Sequence, residues 1–212
     1  MDSHHKRRIY IIYTIVICVV SFVIYTIYQY PETPLKLIYR TSGIFGHLLV
    51  FSAIVSSEYM TQIKKLFGQT FLKFHHNLIK LALILMVLHP WSFALDVRSL
   101  QVYLPVFYPP ITFLELAGRP ALYIFVIVMI TAVYRKKIPK NWKNIHLFNY
   151  LAFFMVSIHA LLIGTDFSST GMKILSFVMM AIVAGIFVHK RLKKIKLRRW
   201  YQICGCRDSN PG

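Results

Sequence analysis

Ile145-His-Leu-Phe-Asn-Tyr-Leu-Ala-Phe-Phe-Met-Val-Ser-Ile-His159-Ala-Leu-Leu-Ile-Gly164 decides how this chain is read. The stretch is apolar apart from one amide, one serine, one tyrosine and two histidines. As a helix rising 1.5 Å per residue it is about 30 Å long, the thickness of bilayer hydrocarbon. Five further apolar blocks lie at 9–28, 41–58, 75–95, 119–134 and 172–189, and with 145–164 they use up most of the 212 residues. The sequence therefore predicts an all-α polytopic membrane protein, a six-helix bundle forming one domain over 1–201, with a disordered tail at 202–212 that has no hydrophobic period. Helices are expected because backbone in hydrocarbon must satisfy its own hydrogen bonds. The blocks lack the alternation of a membrane barrel, and no 20–50-residue period points to a solenoid.

Composition agrees: 57% of residues are hydrophobic and only 15% charged, which excludes an ordinary soluble domain. The net charge of +18 raises a nucleic-acid reading. However, the 25 Lys and Arg flank the apolar blocks instead of forming a separate patch. Nineteen of them, in clusters at 6–8, 64–73, 135–143 and 190–207, fall on one side of a six-span topology. Lys36, Arg40, Arg98, Arg119 and Lys173 fall on the other, and Lys80 lies within the third block. The positive-inside rule then places both termini in the cytoplasm of a multi-pass cell-membrane protein. No nucleic-acid partner is expected, and the basic tail is read as facing membrane lipid. The first block follows a basic amino terminus, but it is long for a signal peptide and lacks a cleavage site, so it reads as a retained helix. Cys18, Cys204 and Cys206 make neither a zinc set nor a disulfide framework.

Four of the nine histidines form a pattern. His75 and His89 bracket the third span and His146 and His159 the fifth, at separations of 14 and 13 residues. Helix rise puts the members of each pair about 20 Å apart along the axis. Both spans start on the cytoplasmic side. His75 and His146 thus share an inner level, and His89 and His159 an outer one. Two imidazoles from two helices at one level are what bis-histidine ligation of a haem requires. With no C-x-x-C-H attachment motif, two noncovalent b-type haems between helices 3 and 5 are expected.

The azimuths fit less well. At 100° per residue His75 and His89 lie within about 40° of one face, but His146 and His159 lie about 140° apart. His76 competes with His75 but faces His89 less well. His47 and His189 have no partner at their level, and His4 and His5 are expected to be exposed. Arg40 and Arg119, at the outer starts of the second and fourth spans, are candidate partners for the propionates of the outer haem. Lys80 is read as snorkelling to the interface. The connection at 96–118, rich in proline and aromatic residues, is read as an interfacial cap.

These residues resemble a known family. Trp142-Lys-Asn-Ile-His146-Leu-Phe-Asn-Tyr150, running on to His159-Ala-Leu-Leu-Ile-Gly164-Thr165-Asp166, looks like the fifth helix of ferric reductase-like transmembrane domains. Phe74-His75-His76-Asn77-Leu78 leading to His89-Pro90 is similar to their third helix, and Gly118-Arg119-Pro120-Ala121-Leu122 to the start of their fourth. The family includes the membrane halves of NADPH oxidases and ferric reductases and the haem subunit serving periplasmic methionine sulfoxide reductase. The resemblance covers roughly residues 38–190. It departs at His76, where the family often has Arg or Lys, and at Lys80, where it has Gly.

The resemblance implies relay of electrons from a cytoplasmic donor through an inner and an outer haem b to an outer-face acceptor, a partner protein or a metal ion. No G-x-G-x-x-G follows a strand, so the donor is expected to be a separate flavin reductase or quinone. The chain would then be the membrane subunit of an oxidoreductase. The competing reading is a transporter or channel whose intramembrane histidines relay protons or metal ions. The absence of carboxylates within the spans disfavours it. A reporter fused after Tyr201 should lie in the cytoplasm and one within 96–118 outside; the same compartment for both would overturn the topology and with it the pairing of histidine levels.

Overall fold

The computed structural model describes residues 3–29, 33–60, 63–64, 71–137 and 142–203. These are helical almost throughout and contain no strand among the described residues. The helices are α1 (Ser3–Tyr28), α2 (Pro34–Glu58), α3 (Phe71–Val97), α4 (Pro110–Glu115), α5 (Gly118–Val133), α6 (Trp142–His146), α7 (Phe148–Ile163) and α8 (Thr170–Ile203). Short 3₁₀ turns occupy Leu100–Tyr103 and Thr165–Ser168.

Among the described residues, five stretches are long and apolar enough to cross a membrane: Ile9–Tyr28, Pro34–Glu58, Lys73–Val97, Trp142–Ile163 and Thr170–Lys193. Gly118–Val133 is apolar but shorter. Its 16 residues reach about 24 Å. The expected spans and observed helices agree most closely at 9–28 and 119–134. The second helix begins at Pro34, not at 41, because Thr33 caps it by accepting from the Lys36 N–H at 3.4 Å and Pro34 occupies the first turn. The last helix continues past 189 through Ile203, so Gln202 and Ile203 are helical where a disordered tail was expected. Residues 204–212, with Cys204, Cys206 and Arg207, lie outside the described residues, as do Lys65, Lys140 and the side chains of His4 and His5.

An apolar core is combined with an apolar exterior. Large apolar side chains are exposed along the helices, among them Tyr10, Ile15, Ile17, Ile84, Trp91, Leu95, Ile127, Phe177 and Val178. Buried positions include Ser42, His47, Ser56, Ser92, Ser157, Ser176, Arg40 and Asp166. Apolar surface outward suits contact with membrane lipid, where burial of apolar area gives no drive for helix association and close packing takes its place. Several buried hydroxyls donate back to carbonyls of their own helix, as Ser42 does to Ile38, Ser92 to Leu88 and Ser157 to Phe153 at 2.7–2.9 Å.

α2 packs most extensively on α3, and α5 on α7. One core cluster joins five helices through Val50, Ile54, Ala82, Phe125, Phe153, Met179 and Val183. A second ties α1 to the outer end through Val23, Ile27, Ile44, Phe167 and Met172.

Across this second cluster runs a buried ion pair. Arg40 and Asp166 are each 4% exposed. Arg40 Nε donates to Asp166 Oδ2 at 3.0 Å, and Nη2 to Oδ1 at 2.5 Å and to the Ile27 carbonyl at 3.3 Å. One guanidinium thus joins α1, α2 and the 3₁₀ turn before α8. Removing one partner of a buried pair leaves the other charge uncompensated, at about 3–5 kcal/mol, whereas an apolar pair of similar volume can be neutral. Asp166→Ala should therefore lower thermal stability in detergent by about that amount, and Arg40→Met with Asp166→Leu should recover most of it; equal melting of Asp166→Ala and wild type would show that the pair does not hold the outer end together.

Candidate cofactor site

Of the four sequence-selected histidines, the structure brings His89 and His159 together. At the level expected to be the outer one, His89 of α3 and His159 of α7 approach edge to face, with ring centroids 6.4 Å apart and planes at 79°. His89 Nδ1 lies 2.7 Å from the Tyr39 carbonyl, and His159 Nδ1 lies 2.5 Å from that of Glu115. A carbonyl only accepts, so each Nδ1 carries the proton and donates it, and each Nε2 keeps its lone pair. Nε2 is the nitrogen available to a metal, and the Nδ1–H bond fixes both tautomer and ring direction.

His75 lies near the start of α3 and His146 at the end of α6, at the opposite end of the bundle from His89 and His159. His75 is half-buried beside its neighbour His76, which is exposed. His146 packs edge-on against Trp142, centroids 5.9 Å apart, and Asn149 Nδ2 lies 3.4 Å from both ring nitrogens. Lys190 stands near His146 and pairs with Glu58 at 3.0 Å.

The azimuth mismatch on the fifth span has a local cause. The span is not one helix: α6 ends at His146 and α7 begins at Phe148, with Leu147 in a turn between them. Leu147 N–H bonds the Asn144 carbonyl and Tyr150 N–H that of Leu147, both i to i+3. Such 3₁₀ winding advances about 120° per residue instead of 100°, and three or four steps of it bring the 140° offset down to about 70°.

Between α2, α3, α5 and α7 at the outer level lies a cavity of about 360 Å³. Its walls are mainly apolar, with Ile44, Val50, Met86, Phe93, Phe125, Phe153 and Val156 among them. His47, His89, His159, Arg40, Arg119 and Asp166 reach it as well. A few polar groups in an apolar concavity of this size are the usual make-up of a small-molecule or cofactor site. From the connection at 96–118, Val102, Tyr103 and Leu116 line the cavity, and Arg119 Nη1 holds the connection by donating to the carbonyls of Gln101 and Leu104 at 3.1 and 2.9 Å. Burial, with Tyr123 beside it, pushes the Tyr103 phenol above its ordinary value, so it stays protonated at neutral pH.

Both arginines selected from the sequence reach the cavity wall, in different states. Arg40 was placed at a helix start, but it lies two turns inside α2 and is neutralised by Asp166. Arg119 does begin α5 and has no carboxylate partner among the described residues.

Several contributors were not picked out from the sequence. His47, read as lacking a partner, is buried: its Nε2–H donates to Ser157 Oγ at 3.0 Å, and its ring lies 4.9 Å from that of Phe153. A signal existed, since Arg40, Gly43, Ile44, His47 and Val50 repeat at the spacing of one helix face. Asp166 gave no such signal, for its partner is 126 residues away. His189 and Lys80 are exposed.

No protein-family model, no curated protein and no solved structure matches the chain. The class that fold and site define is, among the described residues, an all-helical fold with five apolar helices of membrane-spanning length and a histidine-lined cavity toward one end. The resemblance to ferric reductase-like domains rests on the residues quoted for it.

Proposed function

We propose that the chain carries electrons across a cell membrane through two bis-histidine b-type haems, as the membrane subunit of an oxidoreductase. The observation that carries this reading is the His89–His159 pair. The rings stand 6.4 Å apart with both Nδ1–H groups committed to carbonyls. The donor set and the adjoining apolar cavity therefore fit a haem. His75 and His146 make the corresponding inner set.

Bound haem would supply one-electron chemistry at its iron. The chain's part is to hold and surround it. The four imidazoles would hold the iron, and the carbonyls of Tyr39 and Glu115 would raise the basicity of the outer two. Apolar walls exclude water. Arg119, a cation without a carboxylate partner among the described residues, is the better candidate to meet an outer propionate; Arg40 reaches the same wall with its charge balanced by Asp166.

In this reading Gly118–Val133 crosses as a sixth, shorter span, both termini are cytoplasmic, and the basic face meets the donor, a flavin reductase or a quinone. The acceptor on the outer face is a partner protein or a metal ion.

Purified chain should contain close to two haems, with the reduced spectrum of b-type centres. His89→Ala or His159→Ala should remove one haem and His75→Ala or His146→Ala the other, the remaining site staying filled. No haem in the wild type would end this reading in favour of a histidine relay for protons or metal ions. Loss of the same haem from His89→Ala and His146→Ala would overturn the pairing by level, and loss through His76→Ala but not His75→Ala would reassign the inner ligand.

A further inference from the structure

Each outer histidine lies on a glycine of a neighbouring helix. A Cβ built on Gly43 would stand 2.8 Å from Nδ1 of His89 and 3.1 Å from its Cε1. One built on Gly118 would stand 2.9 Å from Cδ2 of His159 and 3.1 Å from its Nε2. Carbon atoms at such distances overlap, and the rings have little room to give. His89 is pressed edge-on against Tyr39 on one side and approaches His159 edge to face on the other.

The glycines sit one turn after the carbonyls that the same histidines use. Tyr39, whose carbonyl accepts from His89, is four residues before Gly43; Glu115, whose carbonyl accepts from His159, is three before Gly118. A helix carbonyl is normally screened from a neighbouring helix by the side chains of the following turn. Where that turn carries only a hydrogen, an imidazole can lie flat on the backbone and reach the oxygen. In α2 the Tyr39 carbonyl has a second lone pair beyond its helical bond, and the Glu115 carbonyl ends the short helix α4, where intrahelical donors run out. The arrangement occurs twice, on two unrelated elements, once for each histidine of the pair.

We propose that Gly43 and Gly118 are positioning residues: each opens a helix backbone so that an outer imidazole bonds a carbonyl through Nδ1 and presents Nε2 as a metal ligand. The proposal rests on the haem reading and specifies how its outer site is oriented. Neither glycine is held by backbone conformation, since both lie in ordinary helix, so the close ring is the reason for a hydrogen at Cα. Other glycines supply the controls. A Cβ on Gly185 would meet nothing within 4 Å, and on Gly46 only Met86 and Leu85 at 3.4 Å or more.

The experiment compares Gly43→Ala, Gly118→Ala and Gly185→Ala, purified as full chains, by haem content, low-spin electron paramagnetic resonance and redox titration. Gly185→Ala should match the wild type with two haems. Gly43→Ala and Gly118→Ala should each keep the inner haem with unchanged resonance and potential. The outer haem should be lost, or kept with a shifted potential and altered g-values as the Nδ1–H bond breaks. Two haems with wild-type signals in both variants would overturn the proposal. So would loss of both haems from either variant, which would make the glycine a general packing residue. A wild type without haem would instead overturn the function on which the proposal rests, a result distinct from both.

Discussion

An imidazole inside an apolar bundle has to place its N–H, and the rest of this structure follows from where His89 and His159 place theirs. Water is not at hand to satisfy it, and an unmet donor costs about 1–3 kcal/mol. Both rings use backbone carbonyls, of Tyr39 and of Glu115. That choice fixes the tautomer and requires glycine beneath the ring. It also draws α2 against α3 and the 96–118 connection against α7. The cavity is what remains between elements held in this way.

The same economy runs through the interior. Ser157 donates to its own helix and so is left to accept from His47. Arg40 is tolerable at 4% exposure because Asp166 meets it on two oxygens and Ile27 supplies a third acceptor. An isolated guanidinium at that depth would be prohibitive. The pair also anchors α1, which otherwise shows most of its apolar surface outward and touches the bundle mainly at its outer end. Outside, apolar side chains face away from the bundle without contributing to its cohesion, the arrangement expected where the solvent is itself hydrocarbon.

The outer and inner histidines differ in setting. The outer two are tied to backbone, and the 96–118 connection lines the cavity beside them. Of the inner two, His146 lies among Trp142, Asn149 and Lys190, close to the basic end of the molecule. Under the proposed function this difference would give the two haems unlike surroundings, because burial and charge both tune a haem's potential.

The apolar blocks and their helical state were legible in the sequence, and so was the approach of His89 to His159, because bilayer thickness and helix rise are lengths that any 20-residue apolar run must meet. Helix ends were less so: Thr33 and Pro34 start α2 seven residues before the apolar block, and α8 runs past its block because helix does not stop where hydropathy does. Only tertiary structure decided the partners. Arg40 looked like a boundary charge until Asp166 came beside it from 126 residues away, and His47 looked idle until Ser157 did the same. The break at Leu147 turned an azimuth that ideal helix geometry could not reconcile. Periodicity reports which residues share a face of one helix; which carbonyl an imidazole reaches on another depends on how closely two backbones approach, and here that was set by a missing methyl at Gly43 and Gly118.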